Sequence, residues 1–83
     1  MTGKRPWVGP PVTRLGELTP RQREAALRRA AGQTRPEMAA AMFIEPETLH
    51  GLMGQAEERT GTHSELRLVL WVWRQVGDPI RLV

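Results

Sequence analysis

Thr34-Arg35-Pro36-Glu37-Met38-Ala39-Ala40-Ala41-Met42-Phe43-Ile44-Glu45-Pro46-Glu47-Thr48-Leu49 is the stretch that decides the fold, because it holds two helix starts in quick succession. Thr34 followed by Glu37 is a capping box. The hydroxyl can accept from the Glu37 amide while the carboxylate accepts from the Thr34 amide, and two of the donors orphaned at a helix start are satisfied. Met38, Ala39, Ala41 and Met42 then form one short apolar face that ends near Phe43. Glu45-Pro46-Glu47-Thr48 opens the next helix. Proline suits its first position, where the missing N–H would have been unbonded anyway, and acids suit the positive end of the dipole. Leu49, Leu52, Met53 and Ala56 recur at helical spacing behind it. Two short helices joined by about three residues predict a helix-turn-helix unit.

The second of these helices contains Gly51 and Gly54. Each costs a helix about 1 kcal/mol relative to alanine. Either another backbone approaches closely there, or the helix kinks or ends at that point.

Upstream, Leu18-Thr19-Pro20-Arg21-Gln22 is a further helix start, with Thr19 as cap, Pro20 at the first position and Gln22 closing a capping box. This helix is expected to run through Ala31 and to stop at Gly32. Its apolar side is thin, Leu27 plus alanines 25, 26, 30 and 31, which permits close helix approach and buries little area. Residues 1–16 carry three glycines and three prolines and no helical period, so they read as an extended arm ahead of a 17–83 domain. Trp7 and Val8 are expected to pack back on that domain.

Downstream, Ser64 caps a last helix reaching Val76 and stopped by Gly77-Asp78-Pro79. Leu66, Leu68, Val69, Leu70, Val72, Trp73 and Val76 cover an arc of roughly 200°, where a surface helix needs about 100°. The excess asks for a second contact, expected at Leu68 and Val72 on the edge of the arc. Trp71 falls outside the arc between Arg67 and Arg74, either stacked under a guanidinium or anchoring a protein partner. A strand here, with a hairpin into Pro79–Val83, is the competing reading of this Val- and Trp-rich run.

With 83 residues the chain fits one domain with a small core, and without cysteine it has neither disulfides nor thiolate ligands. No apolar run approaches the roughly 20 residues that span a bilayer, and Pro6, Pro10 and Pro11 interrupt any leader-like segment. A cytoplasmic, all-α chain without membrane association is expected. His50 and His63 lack any metal-binding spacing, and no nucleophile–base pair or phosphate-cradling loop is present. The residues therefore predict neither metal, cofactor nor enzyme. The net charge of +3 is unevenly placed. Residues 1–35 hold Lys4 and seven arginines against two glutamates, a net +6, while residues 36–83 hold four arginines against six glutamates and one aspartate, a net −3. A polyanion should feel the amino-terminal half first. The Arg-, Ala-, Gly- and Pro-rich usage suits a GC-rich bacterial genome or a phage of such a host.

Leu18-Thr19-Pro20-Arg21-Gln22-Arg23-Glu24 resembles the L-T-x-R-E-x-E opening of LuxR/NarL-type (GerE-like) DNA-binding domains. Glu37 to Ile44 resembles their E-I-A-x-x-L-x-I segment, Thr48-Leu49 sits where they carry T-V, and Gly61, Ser64 and Leu66–Leu70 fall in place of their fourth helix. The resemblance implies a four-helix LuxR-like domain that binds double-stranded DNA, regulates transcription and forms a homodimer through the last helix. The implied DNA contacts are Arg21, Arg23, Arg28, Arg35, Thr48, His50 and Arg59, with the basic arm entering the minor groove. The implied dimer or partner contacts are Leu68, Trp71 and Val72. The departures are specific. Glu45 stands where the family has Ser, and His50, Gly51 and Gly54 stand where it carries polar base readers. Glu45 to Thr60 has a net charge of −3. Phosphate repels such a helix, and a glycine cannot read a base edge. The alternative expectation is a helix-turn-helix that has lost its reader and binds a protein, such as a host regulator or polymerase component.

Overall fold

A computed structural model describes residues 9–77. After a 3₁₀ turn at Leu15–Glu17 come four helices: α1 (Pro20–Ala30), α2 (Arg35–Met42), α3 (Pro46–Thr60) and α4 (Glu65–Val76). The described residues contain no strand, so the Leu66–Val76 run is helical. Pro79–Val83 lie outside the described residues. No helix among the described residues is long and apolar enough to cross a membrane.

The caps form where the side-chain chemistry calls for them. The Thr19 hydroxyl accepts from the Gln22 amide and the Gln22 carbonyl oxygen from the Thr19 amide, both at 3.2 Å. At α2, the Glu37 carboxylate accepts from the Thr34 amide at 2.7 Å and the Thr34 hydroxyl from the Glu37 amide at 3.3 Å. The Thr34 amide first, and then the Thr34 hydroxyl, hold the Glu37 carboxyl below its ordinary range. Ser64 accepts from the Arg67 amide at 3.1 Å and starts α4. Phe43 ends α2 in the left-handed conformation, at φ 57°. That reversal, followed by Ile44 and Glu45, joins α2 to α3 in three residues. Gly51 and Gly54 do not end α3, which continues to Thr60 and closes on Gly61 at φ 74°.

Helix α1 is the centre of the fold. It packs on α3 and α4, while α2 lies chiefly on α3. Its buried face is Ala25, Ala26 and Ala30, small enough for both neighbours to come close. The bulk comes from those neighbours. Met38 and Met42 of α2, Leu49 and Met53 of α3, and Leu68 and Val72 of α4 complete the core around the alanines.

The domain begins earlier than residue 17. Val12 is buried and donates its amide to the Arg59 carbonyl at 2.8 Å. Pro11 lies on Gly61, so close that an added Cβ there would meet its Cγ at 3.0 Å. A backbone hydrogen bond and a proline–glycine contact thus tie the end of the expected arm to the end of α3. Lys4, Arg5, Trp7 and Val8 lie outside the described residues, and with them the expected packing of the arm.

Candidate nucleic-acid interface and the outer face of the last helix

Leu49, Met53 and Ala56 pin α3 to the core by one face, and the opposite face of its first two turns stands clear. Glu45, Pro46, Glu47, Thr48 and His50 are all exposed, and Phe43 in the turn before them is 93% exposed. Glu47, Thr48, Gly51, Leu52 and Gln55 line a shallow hollow of about 360 Å³. Thr48 and His50 are exposed on the two flanks of this end of α3. Around them, Glu45 and Glu47 supply negative charge and Gly51 supplies no side chain.

The arginines are placed less freely than their sequence clustering implies. Glu24 takes the Arg28 Nε at 2.9 Å and lies 3.7 Å from Arg21, whose Nη1 also donates to the Met42 carbonyl at 3.2 Å. Arg21 thereby caps the end of α2. Glu65, at the start of α4, accepts from Arg29 at 2.6 Å and also from Arg35. Hydrogen bonds from Arg29 and then Arg35 hold the Glu65 carboxyl below the usual carboxylate range. Arg29 reaches the Gln33 carbonyl as well, at 2.9 Å. Arg59 is half-buried and donates to the Gln22 side chain at 3.3 Å, across the α1–α3 contact.

Arg28, Arg35 and Arg59 thus each have a carboxylate or side-chain amide partner within the chain. Arg21 remains half-exposed, and Arg23 makes no ion pair among the described residues. Among the described residues no three His, Asp or Glu side chains come together to hold a metal ion.

Two of the expected contacts on α4 lie in the core. Leu68 and Val72 are fully buried against α1 and α3, not at the edge of the arc. Trp71 is half-buried against the same core. Leu66, Leu70 and Trp73 are the apolar side chains turned outward, at 71%, 47% and 45% exposure. The Trp73 indole N–H donates to the Ala30 carbonyl at 3.1 Å, which ties the ring to the end of α1. Beside this stripe, Arg67, Leu70, Trp71 and Arg74 join Gly61 and Thr62 around a second hollow of about 360 Å³. A helical wheel does not single out this phase: exposed Leu66 and buried Leu68 lie about 90° and 110° from the Arg67–Arg74 direction, on opposite sides of it.

Comparison with protein-family models, with curated proteins and with solved structures gives no match to this chain.

Proposed function

We propose that the chain is a small DNA-associated transcriptional regulator of the LuxR-like helix-turn-helix type, acting in the cytoplasm. The observation that carries this reading is the exposed amino-terminal end of α3, held out by α1 and α2 as a helix entering a groove must be. Thr48 and His50 lie on that end, with half-exposed Arg21 and with Arg23 of α1 as cations to meet phosphate. Base-specific contacts are few. Each good bidentate contact is worth about 1–3 kcal/mol, and His50 is the one candidate reader. The regulator holds duplex DNA mainly by its backbone and discriminates weakly between sequences.

Fluorescence anisotropy with a random duplex over a salt series tests this. Phosphate contacts give a steep loss of affinity with salt. Reversing Arg21 and Arg23 to Glu weakens binding to all sequences alike and flattens the slope, while His50→Ala changes little. A tight site that discriminates through α3 would overturn the weak-discrimination reading.

A second reading has its own support: Glu45 and Glu47 precede Thr48 at the start of α3, and Arg28, Arg29 and Arg35 are paired within the chain. On that reading the domain is a protein-binding adaptor, and no duplex binds even at low salt. In either case the side chains of α4 available to a second copy or another protein are Leu66, Leu70 and Trp73, not Leu68 and Val72.

A further inference from the structure

We infer that the outer face of α4 is a docking surface for an acidic amphipathic helix of another protein. The inference does not depend on DNA binding. At about 100° per residue, Trp73, Leu66, Leu70, Arg74 and Arg67 follow one another round roughly 120° of the helix. The apolar side chains occupy one half of that face and the two guanidiniums the other. Arg67 and Arg74 are exposed and make no ion pair among the described residues. The contrast with α1 and α2 is direct, since Glu24 and Glu65 take up Arg21, Arg28, Arg29 and Arg35. The surface is also stiff. Leu68 and Val72 anchor the back of the helix in the core, and the Trp73 indole is fixed to Ala30. Rigid aromatic and arginine side chains around a hollow are the composition that dominates binding energy at interfaces.

The occupant follows from charge and spacing. Arg67 and Arg74 are two helical turns apart, about 10 Å along the axis. A partner helix laid along α4 matches them with carboxylates seven residues apart, and an apolar side chain midway between enters the hollow over Leu70 and Trp71. A second copy fits less well. Paired α4 helices would bring four arginines to one contact, and the only acid on α4, Glu65, is already held by Arg29 and Arg35. Like charges facing each other suppress that pairing.

The test uses the full chain, isotope-labelled for NMR, and two synthetic alanine-based helical peptides. One carries Glu at positions seven apart with Leu midway, and its twin carries Lys in place of Glu. The acidic peptide is expected to bind with shift changes confined to residues 61–62 and 66–74, and the Lys twin is not. Arg74→Glu is expected to weaken binding by more than about tenfold, whereas the equal charge change Arg14→Glu leaves it unaltered. Arg74→Gln, which keeps a long polar side chain, is expected to give an intermediate loss. Equal losses for Arg74→Glu and Arg14→Glu would reduce the effect to net charge and overturn the proposal. So would absence of binding by the acidic peptide, or a native dimer that Leu70→Glu converts to monomer in sedimentation, since a second copy would then cover the face.

Discussion

Gly54 and Gly61 belong to the same helix, one inside it and one at its end, and alanine acts oppositely at the two. Gly54 lies mid-helix with nothing within 4 Å of a built Cβ. Gly54→Ala is expected to raise stability by about 0.5–1 kcal/mol in urea unfolding, because glycine leaves more chain entropy to be lost. Gly61 has φ 74° and Pro11 Cγ at 3.0 Å from the added Cβ, so Gly61→Ala is expected to lower stability by more than about 1 kcal/mol. The sequence alone could not separate them, since the neighbour that makes Gly61 necessary is a proline far upstream. The same distance hides the Glu65 cluster, where Arg29 and its carboxylate are 36 residues apart. Glu65 titrates below its ordinary range in the folded chain. Its contribution to stability is therefore present above the unfolded carboxylate value of about 4.3 and is lost as pH falls through the lower folded value. Melting temperature is expected to drop between about pH 5 and pH 3, and Glu65→Gln to melt lower at neutral pH with a flatter acid limb.

At the scale of elements, the helix starts were legible and the orientation of one helix was not. Capping boxes are local chemistry: the groups that bond are three residues apart, so Thr19-Gln22 and Thr34-Glu37 could be read directly. The phase of α4 depends on which part of a wide apolar arc meets α1, and a wheel with apolar residues over more than half its rim does not rank them. The arginines keep only their own direction outward, since desolvating an unpaired charge costs more than leaving a leucine wet, and they stand about equally far from Leu66 and Leu68. The outcome separates two neighbouring leucines. Leu68→Glu puts a carboxylate into the core and is expected to cost more than about 3 kcal/mol, seen as loss of cooperative melting by circular dichroism. Leu70→Glu, two positions on, is expected to stay within about 0.5 kcal/mol of the native protein.

At the scale of the molecule, the uneven charge was plain in the sequence, but its use was not. A net +6 in residues 1–35 suggested a broad basic face. Folding spends much of it on pairs within α1 and between α1, α2 and α4, which leaves Arg21 half-exposed beside Glu24, and Arg23, Arg67 and Arg74 without an ion pair among the described residues. The starts of α1 and α2 needed only local signals, while the partners of Arg29, Arg35 and Arg59 depended on which long-range pairs closed. The central claim is that duplex DNA meets this chain through the projecting end of α3 and the adjoining arginines of α1. An NMR titration of the labelled chain with a random duplex at low salt tests it most directly. The account predicts shift changes at residues 45–51 and at Arg21 and Arg23, reversed by added salt, with residues 66–74 unaltered. Shift changes centred on α4 instead, or none anywhere at low salt, would contradict it.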